Sequence, residues 1–214
     1  MTLIEIPIEQ TTAATDLLIS VVAVAAILYL WRSGPAGLRG WLWRSVFVWL
    51  AAASLLGAIA HGLVLDEAVL KWIWRGTYLA LAIVVATFLL AAIRDVFGDR
   101  TALRALPLLI VIAVGFFAWF ITDPENFRPF IMYEATAMLL SLAGFLWLSW
   151  QGTLAGAGWI AASIVVNIVA AVVQASRAVS FTLVWSFDHN GVFHLIQILG
   201  IALLIRGLSS VKEN

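Results

Sequence analysis

A chain of 214 residues that is 64% hydrophobic and 11% charged, with a mean hydropathy of +1.05, lies far outside the range of soluble globular domains and reads as an integral membrane protein. Its 12 basic and 12 acidic side chains cancel, so no broad basic surface recommends nucleic acid as a partner. The absence of cysteine excludes disulfides, thiolate metal sites, iron–sulfur clusters and cysteine nucleophiles together, leaving His, Asp, Glu or water to hold any metal.

The first nine residues carry no basic region ahead of the first apolar run, so they do not read as a cleaved signal peptide, and the first span is expected to stay in the mature protein. A membrane span needs about 20 mostly apolar residues. Seven windows meet or approach that length, near 14–32, 41–63, 72–93, 105–122, 129–150, 158–178 and 187–206. Asp16 opens the first segment, as a helix cap or an interior partner. In the second, Ser54 and His61 are seven residues apart and share a face. The third follows the acidic pair Asp66-Glu67, and Pro107 and Pro129 are expected in the first turns of the fourth and fifth, where a missing amide proton costs little. Glu134 lies about 8 Å of helix rise into the fifth segment, as an ion-pair partner of Arg128 or Arg177 or as a catalytic base, with Tyr133 beside it facing the same pocket. The sixth carries a polar stripe, Ser163, Asn167, Gln174 and Arg177. The seventh opens at Asp188 and His189 and carries Asn190, His194 and Gln197 on one face. No loop is long enough for a soluble domain, so residues 1–214 form one all-α, seven-helix unit.

Basic residues orient the chain. Arg32, Arg39, Arg44, Arg94, Arg100, Arg104, Arg206 and Lys212 fall on one side, against Lys71, Arg75, Arg128 and Arg177 on the other. The positive-inside rule then predicts an outside N-terminus and a cytoplasmic C-terminus, in a bacterial inner membrane or its equivalent. The outer face collects Glu5, Glu9, Asp16, Asp66, Glu67, Asp123, Glu125 and Asp188. Trp41, Trp43, Trp72, Trp74, Trp147 and Trp150 sit near segment ends, as interfacial anchors do.

All three histidines and Glu134 are thus expected at similar depth on the outer side, and three helices each turn a polar stripe somewhere. A shared interior is the cheapest common place for them. Neutral imidazole is a good zinc ligand, and three protein ligands plus water is the pattern of a catalytic zinc site. Glu134 or Asp188 could then move protons or orient a histidine. His189 and His194, five apart, diverge by about 140° on a continuous helix, so they converge only if His189 lies in the loop or first turn, with Asp188 or Asn190 as cap. Two other occupants of the histidine cluster stay open: an interior hydrogen-bond network without metal, and a haem or pigment held axially. Retinal is excluded, because the only lysines are Lys71 at a segment end and Lys212 in the tail.

Seven spans, an outside N-terminus, Ser54 and His61 late in the second segment and the run His189-Asn-Gly-Val-Phe-His194 opening the seventh together resemble the superfamily of alkaline ceramidases and progestin/adipoQ receptors. The resemblance implies that His61, His189 and His194 hold zinc, that Ser54 lies near the reacting centre, and that the substrate is a lipid amide. It departs from the family's pattern in that the i, i+4 partner of His194 is Asn190, and in that Gly57 stands one turn before His61 where the family keeps a serine. Two further readings of the same pocket are a non-catalytic ligand-binding or receptor-like protein and a structural subunit of a larger membrane complex, with surrounding lipids as the general partner.

Overall fold

The computed structural model describes residues 2–124, 126 and 128–210; Glu125 and Lys212, counted above among the charges of the two sides, lie outside them. Two short strands open and close the first turn of the chain: β1 (Thr2–Leu3) pairs antiparallel with β2 (Leu63–Val64). Between and after them run α1 (Pro7–Ser33), α2 (Gly37–Gly62), α3 (Glu67–Phe97), α4 (Asp99–Thr122), α5 (Arg128–Gln151) and α6 (Ala157–Ser176). A hairpin of β3 (Phe181–Thr182) and β4 (Ser186–Phe187) leads into α7 (His189–Ser209). Among the described residues all seven helices are long and apolar enough to cross a membrane.

Helices α1 to α4 start four to seven residues ahead of their apolar windows, because backbone hydrogen bonding carries a helix past the point where its composition turns polar, whereas α6 stops two residues short of its window and α7 begins two residues late. Pro7 starts α1 at its first helical position, where its missing N–H is harmless. Pro129 occupies the first turn of α5 as expected, but α4 begins at Asp99, which puts Pro107 in the helix interior. That proline is exposed, on a helix that packs at the periphery, so the lost backbone bond disturbs no core contact.

Neighbour relations close a ring in the order α1, α2, α3, α5, α6, α7, with α7 returning to α1, while α4 lies outside it against α3. One end of the ring is filled by a continuous apolar core from six helices, including Ile19, Phe47, Phe88, Phe145, Ile160 and Leu208. Close helix approach depends on small residues: Gly156, with φ +82°, and Gly207 bring α6 and α7 into backbone contact, where any side chain would strike the facing chain. Trp43, expected at an interface, is instead fully buried in this core, edge-on to Phe88. Its indole N–H donates to Asp95 Oδ2 at 3.1 Å, which removes the reason for a tryptophan to seek water. Trp41, Trp72, Trp147 and Trp150 are exposed, as anchors would be.

The same end holds a buried ion pair. Arg39 on α2 donates from Nε and Nη2 to the two oxygens of Asp95 on α3, at 2.7 and 3.1 Å, with side chains 1% and 0% exposed. Arg94 reaches both Asp95 and Asp99 from the rim.

Candidate functional site

At the opposite end, where α1, α3, α5 and α7 begin and α2 and α6 finish, the ring is not filled. A cavity of about 760 Å³ opens there, walled by all six ring helices and by none of α4. Size and mixed lining are those of a small-molecule site. His61, His189 and His194 all line it, as do Ser54, Glu134, Asn190, Gln174, Arg177 and Gln197.

Each of two histidines is fixed by α1. His61 Nδ1 lies 2.6 Å from Glu9 Oε2 and donates to that carboxylate, while its ring stands edge-on to Trp74 at 5.3 Å. Trp74, expected as an anchor, is therefore part of the cavity wall. His194 Nδ1 lies 2.9 Å from Thr15 Oγ1. The Thr15 hydroxyl has its own acceptors in Thr11 O and Thr12 O, at 3.0 and 2.9 Å, so its lone pair receives the Nδ1 proton of His194. This hydrogen assignment follows from the heavy-atom geometry. Both imidazoles thus use Nδ1 as donor and keep Nε2 for something else.

For His194 that something includes Asp16, whose Oδ1 lies 3.4 Å from Nε2. Two lone pairs facing each other in a buried site repel, so the contact is favourable only when a proton or a metal cation lies between them. Asp16 is an interior partner rather than a cap, and Gly57 makes room for it: a Cβ on Gly57 would sit 2.8 Å from Asp16 Oδ2.

Asp188 is the N-cap of α7, accepting from the backbone N–H of Asn190 and Gly191 at 3.0 Å each and from the Thr12 hydroxyl at 3.3 Å. His189 falls in the first turn, 3.7 Å from Asp188 Oδ2, and faces the cavity from there. Asp188, expected to move protons, is committed to these donors and does not line the cavity; its work is to hold the helix start against α1. Asp188→Ala should cost about 1 kcal/mol of stability for the lost cap, read as a lowered unfolding midpoint in detergent; an unchanged midpoint would show that the cap bonds contribute nothing net.

Other expected residues divide. Among the described residues Glu134 pairs with neither Arg128 nor Arg177, although all three line the cavity. Among the described residues Arg177 is the one non-glycine with positive φ, 53°, at the C-cap of α6; that disfavoured backbone is held where the side chain reaches the cavity. The polar stripe of α6 separates by depth. Gln174 donates to Asn190 at the cavity wall, while Asn167 lies below it against Gly200, and Ser163 donates to Gly200 O at 2.7 Å. Asn167 is helix glue and not pocket lining. Tyr133 is also absent from the wall: its hydroxyl donates to Ala82 O and its ring stacks on Phe116, which places it between α3 and α4. Unanticipated from the sequence are Glu9, Thr12, Thr15 and Gly57. Their signal was the polar run Thr11, Thr12, Thr15, Asp16 at one-turn spacing, all buried at the start of an otherwise apolar helix.

Among the described residues no group of three or more His, Asp or Glu side chains is already placed to hold a metal ion. A protein-family model, described as "Family of unknown function (DUF6962)", matches residues 11–213. No curated protein and no solved structure matches the chain.

Proposed function

We propose that this chain, which belongs to the DUF6962 family, is a multi-pass membrane hydrolase that takes a lipid or lipid-like amide into its cavity from the non-cytoplasmic side. Membrane placement is supported by the seven apolar helices and by their exposed Leu, Val and Ile side chains, such as Leu28, Val111, Val114 and Leu140. An outside N-terminus is supported by the basic residues gathered at the Arg39–Asp95 end.

The observation that carries the reaction class is the Asp16–His194 contact. Two ligands of a tetrahedral zinc ion with bonds of 2.0–2.2 Å lie about 3.3–3.5 Å apart, and His194 Nε2 and Asp16 Oδ1 are 3.4 Å apart. The anchoring of both imidazoles through Nδ1, one on a carboxylate and one on a hydroxyl, is what orients metal-ligating histidines. His194 and Asp16 would supply two ligands of a divalent cation and His61 the third, with Asp16 in the place that the resemblance gave to His189; among the described residues the three are not already placed for it. His61 would have to move toward the other two to complete it. A divalent metal bound there would lower the pKa of its water to about 7 and supply a hydroxide nucleophile. Glu134 is free to accept a proton, and Arg128 and Arg177 offer cationic donors to a developing oxyanion or a polar head group.

The test uses purified protein, metal analysis and N-acylated lipid substrates. Near-stoichiometric divalent metal and lipid turnover are expected, with both lost in a His61→Ala/His194→Ala variant that remains monodisperse. Metal-free protein with undiminished turnover, or histidine variants that keep both, would overturn the reading. A second reading, non-catalytic binding of the same class of molecule, is favoured by the lack of a preformed three-ligand group; it expects lipid binding without metal or turnover. Because the chain has no cysteine, single cysteines at Ser180 and Ser209 test orientation. An impermeant thiol reagent applied outside should label only the first; labelling of Ser209→Cys alone would invert the topology.

A further inference from the structure

A second, smaller cavity of about 430 Å³ lies outside the ring, in the angle between the start of α3 and the end of α4. Its wall is apolar and aromatic, from Leu70, Trp74, Tyr78, Phe120 and Ile121, with Tyr78 and Phe120 stacked at 3.6 Å. Lys71 and Arg75, four residues apart on one face of α3, also line it, with Glu67 the single acid among the lining residues. Among the described residues neither cation has a carboxylate partner; Arg75 rests on the exposed ring of Trp72 at 4.6 Å.

An apolar slot whose wall also carries two cations matches an anionic head with a hydrocarbon chain behind it. The exposed apolar faces of α4, through Leu108, Val111 and Val114, make the approach to this slot lipid-like. Trp72 and Arg75 stand at the helix start, the level at which interfacial aromatic and basic side chains meet head groups. Trp74, Tyr78 and Pro124 line both cavities, so an occupant of the slot lies against the wall that also carries His61 through Trp74.

We infer that the cavity between α3 and α4 binds an amphipathic anion, with its carboxylate or phosphate head on Lys71 and Arg75 and one hydrocarbon chain along Leu70, Trp74 and Phe120. The inference needs the membrane placement but not the hydrolytic chemistry of the larger cavity. The head group can come from a free fatty carboxylate or from an anionic phospholipid, and the test separates the two.

Full-length protein in nanodiscs made from a zwitterionic lipid is titrated with fluorescent-labelled palmitate and, separately, with phosphatidylglycerol observed by native mass spectrometry. Binding of at least one is expected, weakened roughly tenfold by Lys71→Gln/Arg75→Gln and unchanged by Arg206→Gln, which removes a cation that rests on Trp159 at the opposite end of the bundle. Hexadecanol should compete poorly, because it lacks the charge. Leu70→Trp, which fills the slot while leaving both cations, should abolish binding of either molecule. Palmitate alone binding assigns a fatty carboxylate, and phosphatidylglycerol alone assigns a phospholipid. Binding that survives both the charge removal and Leu70→Trp, that hexadecanol displaces equally well, or that weakens as much in Arg206→Gln as in the Lys71→Gln/Arg75→Gln variant would overturn the assignment.

Discussion

Arg39→Met is expected to lower the stability of the purified protein by about 3–5 kcal/mol. Arg39 and Asp95 are both shielded from water, and the bidentate contact between them, with the Trp43 indole beside it, links the start of α2 to the end of α3 at the apolar core. Taking away the cation leaves a buried carboxylate with only the Trp43 indole and the rim guanidinium of Arg94 to offset its desolvation. Asp95→Leu should be as damaging, since it strands the guanidinium and the indole N–H together. The double variant Arg39→Met/Asp95→Leu should recover much of the loss, because neither charge then remains to be desolvated. Chemical unfolding followed by tryptophan fluorescence measures all three. If the single variants unfold with the wild type, or if the double variant is as unstable as the sum of the singles, the pair is not the lock described.

Asp16→Asn should leave the fold intact and reduce turnover of an N-acylated lipid by about 10²–10⁴-fold. Asparagine keeps the volume beside Gly57 and can still donate to Nε2 of His194, but it lacks the negative charge with which Asp16 would hold a cation at the 3.4 Å contact. Gly57→Val tests the same contact from the other helix. Its side chain would begin 2.8 Å from Asp16 Oδ2 and 3.0 Å from Asp16 Cγ, so the carboxylate must leave its place. Both variants should therefore lose activity together, whereas Glu9→Gln, which only loosens the orientation of His61, should weaken metal binding by about 10–100-fold. Full activity in Asp16→Asn would remove Asp16 from the site; loss in Asp16→Asn with none in Gly57→Val would mean that the carboxylate acts from elsewhere.

The two ends of this bundle differ in how far they were legible. His61, His189, His194 and Glu134 were placed near one another by depth, since alternate spans bring their outer ends to one surface, and Gln197 by the helix face it shares with His194. Depth does not say which helix is the neighbour of which. Asp188 was recognisable as a cap from its position before His189, yet its second role as an acceptor for Thr12 depends on α1 lying beside α7. Arg39 was read as a loop cation that orients the chain, and Trp43 as an anchor; both are buried because an aspartate 56 residues after Arg39 is brought against them.

Hydropathy is a sum over neighbours in the chain, and this one is strong enough that seven helices, their order and the polarity of each end can be read from composition and spacing. Ring order belongs to packing: α1 closes between α2 and α7, and α4 is left outside. That closure brings Glu9, Thr15 and Asp16 to His61 and His194, and excludes Tyr133 and Asn167 from the wall they were expected to share. The physical reason is that a helix face has no sequence address for its partner; small residues such as Gly57, Gly156 and Gly207 determine how closely helices approach, and only that approach decides which polar groups meet.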